Sequence, residues 1–202
     1  MVQSPPQPQT LSLQLPHNLA LRVTPEQFAT LAATNRDLRL ERTATGELIV
    51  NPPTGGNTGK RNWSISGELY LWWRSHQEPG EAFDSSTGFE LPNGANRAPD
   101  AAWVRQDRWE ALTPEQQDGF IPLCPDFAVE LRSKTDTLKD LRAKMTEYIE
   151  NGTQLGWLID PKNKRVEIYR PGQAVEVLEN PDALSGEPIL SGFCLDLKRV
   201  WG

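Results

Sequence analysis

The sequence predicts a single α/β or mixed α+β domain built on a mixed sheet, and three observations carry that prediction. The first is a strand–helix–strand unit over residues 126–160: "DFAVELR", then "TDTLKDLRAKMTEYIENG", then "LGWLID". Two strands joined by a crossover helix form a parallel pair. The second is a series of short strand-like segments around that unit, separated by turn residues. The third is composition: 202 residues, seven of them tryptophan and 37% hydrophobic, suit one domain with a sizeable core.

Taken in order, residues 1–20 are rich in Pro and Gln and read as a mobile lead-in, leaving 21–202 as the domain. "TPEQFATLAAT" opens a helix: Thr24 is the N-cap, Pro25 takes the first helical position, and Gln27 completes a capping box. "TPEQQ" at Thr113 repeats that signature in other surroundings, so it is not an internal repeat. "LRLERTATGELIV" reads as two strands turning near Gly46. "NPPTGGNTGK" reads as a loop, and "RNWSISGELYLWWRSH" as a helix with Trp63, Ile65, Leu69 and Trp72 on its apolar side.

Strand-like "AFDSS" and "TGFEL" follow, then the turn "PNG" and the strand "DAAWV". "RQDRWEALTPEQQDG" is a polar excursion with one or two helical turns. After "DFAVELR" comes the strongest helix, with Leu141, Met145, Tyr148 and Ile149 as its stripe and Gly152 as its stop. "LGWLID" is a buried strand, and Asp160 forms the turn ahead of Pro161. "RVEIYR", "AVEVL" and the closing segment complete the domain.

Composition excludes several classes. The formal charge of −6 is no nucleic-acid footprint, so an anionic partner must be met by a local basic patch or a metal. Cys124 and Cys194 have neither metal-ligand spacing nor a disulfide pattern, which fits a reducing cytoplasm. His17 and His76 are too few for a zinc site or a histidine-based triad. No stretch has membrane-span or signal-peptide character. "PTGGNTGK" lacks phosphate-loop spacing, since Lys60 is followed by Arg61; it fits better as a lip over a site. Trp72 and Trp73 could stack on bases, but their spacing from Leu69 puts at least one in the core.

The chemistry concentrates on "CPDFAVELRSK". Alternate residues of a strand share a face, so Phe127, Val129 and Leu131 point into the core. Glu130 and Arg132 lie on the other face at the strand's carboxyl end, where open α/β sheets build sites. A self-paired Glu/Arg on a half-exposed strand is the plainer reading. Lys144 lies on the apolar side of the next helix, where it either snorkels to water or reaches back toward Glu130. Asp126 is about 13 Å from Glu130 along the strand at ~3.3 Å per residue, too far to share a metal with it. Asp100 opens a strand of its own and can approach Glu130 across a ~4.8 Å strand spacing.

"LPNGANRAPDAAWV" followed by "CPDFAVELRSKTDTLKDLRAKMTEYIENGTQLGWLIDPKNKRVEIYRPG" resembles the Uma2 family (DUF820) of restriction-endonuclease-like proteins, abundant in bacteria, over roughly residues 24–202. The resemblance implies a PD-(D/E)xK nuclease core, a mixed central sheet flanked by helices. It maps the family's "PD" onto Pro99-Asp100 and the second acid onto Glu130. Arg132 stands where the superfamily has its lysine, and the family's displaced lysine points to Lys144. Glu41 matches a further acidic position. The implied activity is Mg²⁺-dependent hydrolysis of DNA phosphodiester bonds, with Mn²⁺ as substitute and Asp100 and Glu130 as metal ligands. Lys144 would orient water or stabilise charge, and Arg132 would touch phosphate or pair with Glu130. Two cuts in a duplex would suit a homodimer. A non-catalytic protein that keeps the fold for binding or regulation is the competing reading, and a purely self-associating structural protein is a third.

Overall fold

The computed structural model describes residues 20–77 and 79–202. All of the expected lead-in except Ala20 lies outside the described residues. Helix α1 (Pro25–Thr34) opens with the predicted box: the Thr24 hydroxyl accepts from the Gln27 amide at 3.2 Å, and the Gln27 side chain accepts from the Thr24 amide at 2.9 Å. The second "TPEQ" builds the same box on α4 (Pro114–Asp118), behind α3 (Gln106–Glu110). The motif codes a local cap, and nothing around it repeats.

Two sheets position everything else. Strands β1 (Arg39–Arg42) and β2 (Leu48–Asn51) turn through Gly46, whose φ of 89° suits glycine. They join β4 (Phe89–Glu90) and β5 (Asn96–Arg97) in a small sheet ordered β2-β1-β5-β4. The central sheet runs β10-β9-β8-β7-β6-β3. Its strands are β3 (Gly80–Asp84), β6 (Ala101–Arg105), β7 (Phe127–Leu131), β8 (Leu155–Asp160), β9 (Arg165–Tyr169) and β10 (Glu176–Glu179). β7 and β8 are parallel, joined by α5 (Leu138–Glu150), and every other neighbouring pair is antiparallel. The sheet is mixed, as the strand–helix–strand unit predicts.

Helices cover both faces. On one side α2 (Gly56–Ser75) sets Ile65, Leu69 and Trp72 into a core with Trp103, Phe127, Val129 and Trp157. The closing elements β11 (Ala183–Ser185), β12 (Cys194–Asp196) and α6 (Lys198–Trp201) complete that core with Leu184, Leu195 and Val200. On the other side α5 sets Met145 and Tyr148 over Ala102, Val104, Ala128 and Leu158. The parity of β7 is as expected, but its second face is not half-exposed. All five of its residues are buried, because α5 packs back over the strand that precedes it.

Two local expectations are corrected. "GNTGK" is not loop: α2 begins at Gly56, with Gly55 extended before it. Glycine disfavours helix by about 1 kcal/mol per residue, and tertiary packing of a 20-residue helix overrides so weak a preference. Trp63 is not on the apolar side. Ile65, Leu69 and Trp72 form the buried line at i, i+4 and i+7, and Trp63 falls opposite them, 81% exposed. Trp72 is core and Trp73 packs partly buried against it.

Val129 is fully enclosed between α2 and the sheet. Val129→Asp should cost several kcal/mol, on the order of an uncompensated buried charge, and prevent stable folding. A soluble Val129→Asp protein with a cooperative circular-dichroism melt would contradict this packing.

Candidate active site

One cleft of about 1330 Å³ gathers the candidate residues. Its floor is the carboxyl end of β7 and the start of β6. Its walls are β1 and β2, the first turn of α2, the loop after β7 and the inner side of α5. Exposed Lys134 and Lys162 stand on its rim.

Asp100 and Glu130 meet through strand register. β6 and β7 pair Ala101 with Val129, and Asp100 and Glu130 each lie one residue beyond that last pair. Two bonds clamp the register: the Asp100 amide donates to the Val129 carbonyl at 2.9 Å, and the Leu131 amide donates to Asp100 Oδ2 at 2.8 Å. Asn62 of α2 donates to Asp100 Oδ1 at 3.0 Å, and Arg39 stands 3.6 Å from the same oxygen.

Lys144 reaches back to the sheet. Its Nζ lies 2.8 Å from Glu130 Oε1 and 3.0 Å from Glu41 Oε1, with the Ala98 carbonyl at 3.4 Å. Its side chain, 12% exposed, turns to the inner side of α5, so the alternative of snorkelling to water falls away. Glu41 is positioned by alternation on β1, which turns Arg39 and Glu41 to one face. Arg97, fixed by the "RAPD" turn, spans to Glu41 at 3.4 Å and to Glu147 of α5 at 2.6 Å. Tyr148, one helical turn after Lys144, donates its hydroxyl to Glu130 Oε1 at 3.0 Å. The result is a buried alternation of charge, Glu147–Arg97–Glu41–Lys144–Glu130.

The electrostatics separate the two glutamates. Burial drives the Glu130 carboxyl up to about 7, against which Lys144 is only a partial counterweight, and Asp100 and Glu41 add to the rise. Burial acts on Glu41 the same way, but Lys144, Arg97 and Arg39 together outweigh it and hold Glu41 below the ordinary glutamate range. Lys144 is penalised by burial, yet its two carboxylates hold it above the usual lysine value. It is an ammonium at neutral pH, suited to stabilising negative charge and not to accepting a proton. Glu130 is the acid left short of positive charge.

Other candidates sit elsewhere. Arg132 lines the cleft but does not pair with Glu130: it binds Asp160 at 2.7 Å and the Asp136 carbonyl at 3.3 Å. Asp160 also caps the turn after β8, accepting from the amides of Lys162 and Asn163. Asp126 is engaged at the other end of β7, accepting from the Arg105 amide and pairing with Arg108 at 2.9 Å. The Cys124 thiol is buried and pushed up to about 11 by that burial. Sequence reading missed Arg39, Asn62, Arg97 and Glu147, and saw Tyr148 only as an apolar contact. The alternation Arg39-x-Glu41 and the i, i+3, i+4 spacing of Lys144, Glu147 and Tyr148 were readable signals; nothing marked Asn62.

Asp100 and Glu130 offer hard oxygen donors, and Lys144 offsets the burial of Glu130 only in part, so the pair fits a cation of the magnesium type. Such an ion usually takes one or two protein carboxylates and fills its remaining positions with water and phosphate oxygens. Among the described residues no group of three or more His, Cys, Asp or Glu is gathered for an ion.

A pH dependence follows. The folded Glu130 carboxyl titrates near 7, above its ordinary 4.5, so the folded protein holds an extra proton between those values. Its contribution to stability is complete below pH 4.5 and is lost as pH rises through about 7. Without metal, Glu130→Gln should therefore gain stability relative to wild type from pH 5 to pH 8. Urea midpoints of both proteins at the two pH values check this; parallel profiles would remove the assignment.

The comparisons agree with this architecture. The Uma2 family profile, described as "Putative restriction endonuclease", matches residues 25–198. A solved structure from Anabaena variabilis ATCC 29413, titled as a putative nuclease belonging to DUF820, superposes with a TM-score of 0.73 at 24% identity, covering 89% of this chain and 97% of that one. Among curated proteins none matches. No helix among the described residues is long and apolar enough to cross a membrane. With the profile spanning nearly the whole folded region, the chain belongs to the Uma2 family.

Proposed function

We propose that the protein is a Mg²⁺-dependent endonuclease that hydrolyses DNA phosphodiester bonds at this cleft. The observation that carries the reading is the set Asp100, Glu130 and Lys144 lining one cleft, two acids from the ends of neighbouring strands and an ammonium 2.8 Å from one of them. The family description points the same way. Asp100 and Glu130 would hold the ion. When bound, Mg²⁺ supplies polarisation of a phosphoryl oxygen and activation of water.

The chain's own residues do the rest. The Leu131 amide and Asn62 fix the direction of the Asp100 carboxylate. Tyr148 and Lys144 fix Glu130 through one oxygen. Lys144, held charged by Glu41, presents positive charge to the oxygens that gain negative charge in the transition state. Glu41 is thus a positioning residue. Arg132, held by Asp160, shapes the cleft wall; Lys134 and Lys162 on the rim suit backbone phosphates.

A second reading has its own observation. Lys144 already neutralises Glu130 and Glu41 in part, and Arg97 joins Glu41 to Glu147, so the network closes on itself. That arrangement also suits a non-catalytic binding or regulatory protein that keeps the fold.

Metal binding divides the two. Calorimetry should detect weak Mg²⁺ and tighter Mn²⁺ binding, lost in Asp100→Asn and Glu130→Gln while both variants stay folded. Variants that bind Mn²⁺ like wild type would place the site elsewhere. In single-turnover assays with Mn²⁺, Asp100→Asn should abolish DNA cleavage.

Lys144→Ala should slow cleavage at least about 100-fold, the usual loss of one charge-stabilising group, with DNA binding nearly intact. Because it strands two buried acids, it should also lose about 3–5 kcal/mol of stability, so the assay runs where its circular-dichroism signal is native. A folded Lys144→Ala protein that cuts at the wild-type rate would remove the lysine from the mechanism. A wild type that cuts nothing across metals and substrates would favour the second reading.

A further inference from the structure

The outer face of α2 carries a pattern that the core does not use. Gly56, Lys60, Trp63, Gly67, Tyr70 and Arg74 recur at alternating four- and three-residue spacing, so they form one stripe along the helix. The stripe lies opposite the buried line Ile65, Leu69 and Trp72. Trp63 is 81% exposed, Tyr70 47%, and Leu71 on the flank 65%. Large apolar side chains gathered in water on one helix face mark an interaction surface.

Three features identify the partner. First, the stripe contains Lys60 and Arg74 and no acid, in a chain with 27 acidic residues and a net charge of −6, and the Arg74 guanidinium is engaged within the stripe, donating to the Tyr70 hydroxyl at 3.1 Å. That complementarity suits a polyanion. Second, cation and aromatic alternate with glycine. A Cβ at Gly67 would meet nothing within 4 Å, so a flat ring can approach between Trp63 and Tyr70. These two lie about 10 Å apart along the helix at 1.5 Å per residue. Third, the stripe is continuous with the cleft: Gly55, Gly56 and Asn57 line it where α2 begins, and the stripe runs away from there.

The floor of the cleft adds a constraint. Glu130 is 3% and Asp100 9% exposed. A flexible strand reaches carboxylates that deep more readily than a stiff duplex, whose persistence length is about 50 nm.

We propose that the α2 stripe is a stacking platform for single-stranded nucleic acid, guiding an unpaired strand or strand end into the cleft. Bases stack on Trp63 and Tyr70, while Lys60 meets the backbone. The platform rests on the reading of the cleft as a nuclease site only for where the strand leads. Stacking of bases on exposed aromatics tolerates any sequence, because every base has a π-face.

The test uses the full chain in EDTA with a fluorescein-labelled 30-mer oligodeoxynucleotide of mixed sequence and with the matching duplex. Wild type should prefer the single strand. Trp63→Ala and Tyr70→Ala should each weaken single-strand binding about tenfold, and leave duplex binding unchanged. Trp63 is exposed, so Trp63→Ala should keep the wild-type melt; Tyr70 meets Trp73 and Arg74, so Tyr70→Ala is assayed where its circular-dichroism signal is native. Equal single-strand affinity in wild type and both variants would overturn the proposal. So would loss of self-association in Trp63→Ala, by light scattering, with oligonucleotide binding unchanged, since the stripe would then be a contact between copies. Cleavage assays separate this from the nuclease reading. If wild type cuts and Trp63→Ala cuts single strands equally well at limiting substrate, the platform fails and the active site stands. If wild type cuts nothing yet Trp63→Ala loses single-strand binding, the platform stands and the catalytic reading fails.

Discussion

A single buried ammonium ties three parts of the fold together. Lys144 comes from α5, Glu130 from the central sheet and Glu41 from the small sheet, and their contacts are 2.8 and 3.0 Å. Unpaired, each of these charges would be too costly to enclose. Together they fix how the small sheet and α5 close over the end of β7, and that closure makes the cleft. Arg97, bridging Glu41 to Glu147, doubles the link between the small sheet and α5.

The same constraint explains why the site is polar and the surrounding layers are not. β7 is buried on both faces, so its side chains are apolar at every position but one. The exception, Glu130, sits where α5 offers Lys144 and the hydroxyl of Tyr148. Burial still leaves that carboxyl raised to about 7. Strain of this kind is stored at sites that need charge poised for a ligand. A core designed only for stability would place a hydrophobic residue there.

Arg142 and Glu167 show the contrast. Arg142, two residues before Lys144 on α5, grips Glu167 of β9 through both carboxylate oxygens, and the Tyr169 hydroxyl donates to the same group at 2.8 Å. Arg142 holds Glu167 below the usual range despite its burial. That pair is saturated and pins α5 to the sheet, whereas Glu130 is not. The difference between the two carboxylates is the amount of positive charge within reach.

Local rules carried far along this chain. The capping boxes at Thr24 and Thr113, the turn at Gly46, the crossover unit 126–160 and the parity of β7 are short-range consequences of residue type and spacing, and they appear as read. So does Lys144 on the inner side of its helix, because 3.6-residue periodicity is intrinsic to the sequence. Tertiary structure decided the rest. The glycine-rich start of α2 became helix because packing outweighed a weak propensity. Trp63 turned outward because the buried line of that helix is set by what it packs against. Arg132 found Asp160 because β7 and β8 run parallel, which brings their carboxyl ends together. Arg39, Arg97 and Asn62 converge on the acids from positions remote in sequence, since the charge that a buried carboxylate recruits depends on which elements are folded against it.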